Sequence, residues 1–296
     1  MKKRSLITAT GLLAAAGAAA LAYASLVERN QFTLRRFDVP VLRPDAEPLR
    51  ILHISDLHLV PHQDKLVHWV ASLAALDPDL VVLTGDNLAH AEAVSTVSAA
   101  LEPLFDFPGV FVFGSNDYYA PVLKNPFTYF NPNREHKYGA ELPTEELRKV
   151  LTGGGWLDLN NATTRVNTNG ATIAIAGVDD PHFDLDDYDL IAGPAPSDVD
   201  VSIGLTHSPE PRVLDEMASD GYEVLLAGHT HGGQVCVPGY GALVTNCGID
   251  RTMVKGLHRY GASWLHVSAG LGTSPYAPVR FACRPEASVL TLIPAA

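Results

Sequence analysis

The chain has 296 residues, of which 47% are apolar, and its 33 Asp and Glu against 21 Lys and Arg give a formal net charge of −12. That length and apolar content suit one folded domain with a sizeable core and exclude a disordered or fibrous chain. The acidic field, with no Lys/Arg cluster beyond Arg50, disfavours nucleic acid as a partner, and Cys236, Cys247 and Cys283 lie at none of the thiolate spacings of a zinc ribbon.

At the N-terminus Lys2, Lys3 and Arg4 precede an uncharged, Ala- and Leu-rich run from Ser5 to Val27. As a helix rising about 1.5 Å per residue, that run covers the ~30 Å hydrocarbon core of a bilayer. Residues 1–28 are therefore expected to form a membrane anchor in the cell membrane, its basic end cytoplasmic and everything after Val27 outside the cytoplasm. Cleavage at Ala22-Tyr23-Ala24, giving a secreted protein, is the alternative. Residues 29–48, polar and punctuated by proline, read as a tether and first edge strand. Residues 49–296 form the folded domain.

The core begins with a strand at Leu49–Ser55, an amphipathic helix at Leu66–Leu76 and a buried strand at Leu80–Thr84; a helix at Glu92–Phe105 and a third strand at Val110–Phe113 follow. This β-α-β-α-β alternation argues for parallel strands with helices on their faces, and ligands of such sheets bind beyond the carboxyl ends of the strands. Tyr118 to Tyr138 reads as a long loop carrying Tyr118, Tyr119, Phe127, Tyr129 and Phe130, aromatics that cover a substrate, lie on a membrane interface or pack on their own domain. A helix at Thr144–Leu151 and a hairpin from Gly155 to Val178, turning at Asn169-Gly170, come next. After an acidic loop at Asp179–Asp200, a second series comprises Val201–Leu205, a helix at Pro211–Ser219 and Glu223–Leu226. Strands at Gly241–Val244, Trp264–Val267 and Ala287–Leu292 are expected to complete a second sheet. Cys236 and Cys247 flank a Pro-Gly-Tyr-Gly turn, where either a disulfide or two unbridged thiols fit.

Five short motifs stand mostly just after these strands: Asp56-Leu57-His58, Gly85-Asp86-Asn87, Asn116-Asp117, Thr206-His207 and Gly228-His229-Thr230-His231. In an extended segment residues i and i+2 point the same way, so Asp56 and His58 can chelate one ion, and His229 and His231 repeat that spacing. Asp86, at the tip of an adjacent strand, is the natural carboxylate to bridge two ions about 3.5–4 Å apart, with Asn116 and His207 filling the second site.

The order Asp-x-His, Gly-Asp, an Asn-containing turn, His and Gly-His-x-His resembles the calcineurin-like metallophosphoesterase superfamily, from about Leu49 to Leu292. Within it, Leu52 to His58, Gly228 to Gln234, and Gly270-Leu271-Gly272 with Pro285-Glu286 resemble the bacterial membrane-associated branch acting on phospholipid-like phosphoesters. The resemblance implies an α/β fold, a four-layer α-β-β-α sandwich of two mixed sheets with the metal site at strand C-terminal ends. It also implies two divalent metal ions (Mn, Fe or Zn). One set of ligands is Asp56, His58, Asp86 and His231, and the other is Asp86, Asn116, His207 and His229. The family turn reads Gly-Asn-His-Asp, its histidine assisting the leaving group, whereas Gly114-Ser115-Asn116-Asp117 has none. Either Asn116 remains the ligand and Asp117 takes the histidine's place, or the turn aligns unshifted and Ser115 replaces the ligand. Asparagine, the better neutral oxygen donor, favours the first. Asp86, Asn116 and Asp117 are on that reading the residues closest to the chemistry.

Of the other histidines, His53, on the strand face opposite Asp56, His266 and His68 read as structural or solvated, while His90 and His182 sit in loops that can reach the cleft. The function implied is hydrolysis of a phosphoester at a two-metal centre, as a phosphodiesterase on a lipid-like or pyrophosphate-linked substrate. A phosphomonoesterase acting on nucleotides or phosphoproteins, and a metal-stabilised surface module without catalysis, are the alternatives.

Overall fold

The computed structural model describes residues 14–123 and 138–295; Phe127, Tyr129 and Phe130 lie outside them. Along the chain run β1 (Thr33–Leu42), β2 (Leu49–Ile54), α1 (Asp64–Ala71), β3 (Leu80–Thr84), α2 (Val94–Leu101), β4 (Gly109–Val112), α3 (Thr144–Gly153) and β5 (Leu157–Asp158). Then come β6 (Ala162–Thr168), β7 (Ala171–Gly177), β8 (Val201–Leu205), α4 (Pro211–Ser219), β9 (Val224–Ala227), β10 (Cys236–Val237), β11 (Gly241–Ala242), β12 (Gly256–Tyr260), β13 (Ser263–Val267) and β14 (Glu286–Pro294).

Two six-stranded mixed sheets form, in the orders β1-β14-β2-β3-β4-β5 and β12-β13-β9-β8-β7-β6. Side chains alternate between the faces of each strand, and in both sheets each face finds an apolar cover. Ile51, Val82 and Val112 meet Ile173, Ile203 and Leu226 in the layer between the sheets. Leu52, Ile54 and Leu83 face Val70, Val97 and Leu147 of the first three helices, and Val213, Leu214 and Met217 of α4 cover the far side of the second sheet. With each fully buried Leu, Ile or Val contributing roughly 1.5–3 kcal/mol, these layers fix where the strand ends stand. The result is the expected four-layer α-β-β-α sandwich. The hairpin β6-β7 turns at Asn169 (φ 47°) and Gly170 (φ 76°), the two positive values that a tight hairpin requires.

Two strands go elsewhere than expected. β14 is not in the second sheet; it lies in the first, between β1 and β2, parallel to one and antiparallel to the other. Its apolar residues bury both faces, a pattern that marks a central strand without saying of which sheet. Gly241-Ala242 pairs with Cys236-Val237 in a ladder of its own, and the outer edge of the second sheet is instead β12, whose mixed polarity hides it. Cys236 and Cys247 form no disulfide. The Cys236 thiol turns to the carbonyl of Gly232 at 3.2 Å.

At the N-terminus residues 14–22 are helical, followed by wider and tighter turns at Tyr23–Val27 and Glu28–Asn30. Residues 1–13, half of the expected anchor, lie outside the described residues. Among the described residues no helix is long and apolar enough to cross a membrane. The end of this segment is docked: Ala24 and Glu28 are buried, and Glu28 Oε1 accepts the amide of Cys283 at 2.7 Å.

Candidate metal centre

The motifs converge where β2, β3 and β4 of one sheet and β8 and β9 of the other end. Asp56 and His58 do not share a face through the strand pleat, because both have left-handed backbones (φ 52° and 42°), as do Asp86, His229 and His231 (φ 54°, 67° and 49°). Such conformations cost of order 1–3 kcal/mol each outside glycine and persist where the surroundings over-determine them. Here the surroundings are each other: the amides of Asp56 and His58 donate to the carbonyls of Gly85 and Asp86, both at 2.9 Å. Glycine is required beside them. A Cβ on Gly85 would stand 2.4 Å from the Gly114 nitrogen, and one on Gly228 would stand 1.9 Å from Ser55 Oγ and 2.6 Å from Asp56 Oδ2.

Two groups of donor atoms result, with Asp86 between them. In the first, His58 Nε2 and His231 Nε2 lie 3.0 Å apart; Asp86 Oδ2 is 3.4 Å from His58 Nε2, and Asp56 Oδ1 is 3.6 Å from His231 Nε2. In the second, His207 Nε2 is 3.4 Å from Asp86 Oδ1 and 3.3 Å from His229 Nδ1. Tautomers follow from the outer contacts. A carbonyl only accepts, so His207 donates from Nδ1 to Thr84 O at 2.6 Å and presents Nε2 inward; His229 Nε2 lies against Asn246, 3.3 Å from its carbonyl oxygen and 3.2 Å from its side-chain Nδ2, which turns Nδ1 inward.

The chemistry of these donors fits divalent cations. Burial lowers His58 and His231, which favours the neutral imidazole, the form whose lone pair a cation can take. Burial would raise Asp86, but His207 and His58 and the amide of Asn116 hold it well below the usual carboxylate range. Burial would likewise lower His207, yet Asp86 and Asp56 raise it well above the ordinary imidazole value. The cluster thus draws positive charge to its centre, and a cation taken up there would displace a proton.

The 114–117 turn departs from its expected use. Asp117 is fully buried and turned away from the cleft; its carboxylate accepts the amides of Asp86 (2.9 Å), Asn87 (2.8 Å) and Gly114 (3.0 Å). Burial, then Asp86, push its carboxyl up to about 7, against the pull of the Gly114 and Asn87 amides. It therefore clamps two strand ends together and is not among the residues that line the cleft. Asn116 and Ser115 do line the cleft; Asn116 donates its amide to Asp86 Oδ1 at 2.6 Å and Nδ2 to Tyr119 O at 2.9 Å.

His182 reaches this cleft, its ring 4.5 Å from that of His229, whereas His90 is exposed and accepts the amide of Glu92. His53 and His266 join across the two sheets, Nδ1 to Nδ1 at 2.9 Å, and His68 is exposed. Arg280 was not singled out in the sequence. Fully buried, it donates to the carbonyls of Gly270 (3.0 Å) and Gly272 (2.7 Å) and to His231 Nδ1 (3.1 Å). A guanidinium only donates, so His231 accepts at Nδ1 and bears a proton on Nε2 unless a cation replaces it. An arginine set between Val279 and Phe281 was the only sign of it.

Comparison with known proteins agrees with this geometry. The family model described as calcineurin-like phosphoesterase matches residues 49–233. Two Bacillus subtilis proteins are each 30% identical: the uncharacterized protein YpbG over 95% of this chain and 94% of its own, and the uncharacterized metallophosphoesterase YkoQ over 82% and 83%. The Escherichia coli phosphodiesterase YaeI is 28% identical over 92% of both chains.

Proposed function

The chain belongs to the calcineurin-like phosphoesterase family and is a metallophosphoesterase, a hydrolase; from that premise we propose that it cleaves phosphodiesters with two divalent ions held around Asp86. The observation that carries this reading is the presentation of opposite oxygens of one buried carboxylate to two imidazole groups, Oδ2 to His58 and Oδ1 to His207. Asp56, His58 and His231 would hold one ion with Asp86; His207, His229 and an oxygen of the Ser115-Asn116 turn would hold the other. When bound, such ions supply Lewis acidity toward the phosphoryl oxygens and an activated water. The protein's part is to fix the donors. Thr84 sets the tautomer of His207, Arg280 that of His231, Asn246 holds the ring of His229, and the backbone of Asp86 is anchored by Asp117. No histidine stands at the turn to protonate a departing alkoxide, so esters with good leaving groups suit the site best. The diester preference is supported by the relative that is named a phosphodiesterase.

The test is hydrolysis by the full-length chain. After chelation and reloading with Mn, Fe or Zn, bis(p-nitrophenyl) phosphate is expected to turn over faster than p-nitrophenyl phosphate, and removal of metal should abolish both. Preference for the monoester would overturn the diester reading. A rise in melting temperature on metal loading without turnover would make the metals structural.

We also infer that Ser5–Val27 tethers the domain to a membrane from the side away from the cytoplasm, on the strength of the uncharged run behind Lys2-Lys3-Arg4. Full-length protein should sediment with membranes, resist salt and be released by detergent. A soluble mature chain starting near Ser25 would show that the segment is removed.

A further inference from the structure

The three cysteines divide into a pair and one apart. Cys236 on β10 and Cys283, on the segment that leads into β14, are both buried, and their thiols converge on one carbonyl: Gly232 O accepts from Cys236 Sγ at 3.2 Å and from Cys283 Sγ at 3.5 Å. The two thiols also hydrogen-bond to each other. Backbone pairing between distant segments brings them together, since the amide of Cys236 donates to Phe281 O at 2.8 Å and that of Phe281 to Gln234 O at 3.1 Å. Cys247, which the sequence sets across a turn from Cys236, directs its thiol to Thr245 O at 3.6 Å.

This pair stands directly behind the metal centre. Cys283 Sγ also donates to His231 O at 3.3 Å, and three residues before it Arg280 holds Nδ1 of the same histidine. There is little slack, for a Cβ on Gly232 would stand 2.8 Å from Cys283 Sγ and 2.9 Å from Lys255 Cδ. On the other side a cavity of about 610 Å³ reaches the pair, lined by Gly232 and Cys236 together with Arg251 and Lys255. Lys255 Nζ donates to Cys283 Sγ at 3.6 Å, so a small anionic reagent entering the cavity meets two cations and a thiol.

We propose that Cys236 and Cys283 form a modification site closed by thiol–disulfide exchange with a small anionic disulfide, and that closing it loosens the half of the metal centre that contains His231. Cys236 Sγ, the sulfur that lines the cavity, attacks one sulfur of the reagent; the reagent's S–S bond breaks, and its other half leaves as a thiolate. Cys283 Sγ then attacks Cys236 Sγ and releases the second half. Two protein thiols are thus oxidised to one disulfide, the reagent is reduced to two thiols, and the protons lost by the cysteines go to these. The sulfurs must close to about 2.05 Å. The S–H donors to His231 O and Gly232 O are lost, and the segments that carry His231 and Arg280 are drawn toward each other. Changes in groups that orient a ligand cost roughly 10–100-fold in metal affinity.

The experiment treats the full-length chain with oxidised glutathione, maps its peptides by mass spectrometry and titrates the same samples with Mn²⁺. A cross-link between the peptides that carry Cys236 and Cys283 is expected, absent in Cys236→Ser and in Cys283→Ala and kept in Cys247→Ser. The cross-linked chain should bind Mn²⁺ at least about tenfold more weakly than the reduced one, and dithiothreitol should reverse both changes. A cross-link through Cys247, or glutathione held on Cys236 with no cross-link, overturns the pair. Cross-linked protein that binds Mn²⁺ as tightly as the reduced form overturns the coupling to His231. Should a cysteine variant fail to fold, the map of the native chain decides the pairing. If the reduced chain binds no Mn²⁺, the two-metal reading fails by itself, and the cross-link still judges the pair.

Discussion

Asp86→Ala is expected to empty both halves of the metal centre, whereas His58→Ala weakens only one. The reason is geometric. Asp86 turns one oxygen to each side of the centre, its Oδ2 3.4 Å from His58 Nε2 and its Oδ1 3.4 Å from His207 Nε2, while Asp56 stands among the donors of both groups beside it. Its removal also strips the second group of the carboxylate that raises His207 and accepts the Asn116 amide. Changes to groups that merely orient a ligand typically cost 10–100-fold in metal affinity or activity. Loss of the shared ligand should exceed that, with turnover down more than roughly 100-fold. Elemental analysis of purified Asp86→Ala should find well under half the native metal content. Retention of native metal content and turnover would remove Asp86 from the centre.

Asp117→Ala is expected to cost the fold more than the chemistry. Its carboxylate satisfies three buried amides and lies 3.3 Å from Asn87 Nδ2, and alanine would take the acceptor from all of these donors. An unsatisfied buried donor costs about 1–3 kcal/mol. A total of roughly 3 kcal/mol is therefore a modest expectation, equivalent to a melting temperature lowered by about 6–12 °C for a domain of this size. Asp117→Asn, which keeps one accepting oxygen, should lose less. The discriminating measurement is thermal unfolding beside turnover of a nitrophenyl ester at a temperature where the variant is folded. A variant with native melting and abolished turnover would make Asp117 a catalytic group after all.

How much of this was written in the order of residues can be judged from particular ones. Asp56, His58, Asp86, His207, His229 and His231 were legible because each follows an apolar strand, and parallel strands bring their carboxyl ends to one edge. The layered fold was legible for a similar reason: strand and helix periods are local properties of the chain. Pairing is not local. β14 has the same buried-on-both-faces pattern whichever sheet accepts it, and only the open edge of β2 assigned it to the first. The sense of these turns also escaped, since Asp56 and His58 converge through left-handed backbones held by the carbonyls of Gly85 and Asp86, which come from the next strand of the sheet. Asp117 and Arg280 went furthest from expectation. An aspartate in a turn reads alike whether it meets a substrate or three amides, and an arginine in a loop reads as solvated until the fold buries it against His231. The sequence by itself thus determined which donor atoms exist and along which edge they gather. Only the tertiary structure decided which side chains turn into the cleft and which hold the scaffold, because that depends on partners distant in the chain.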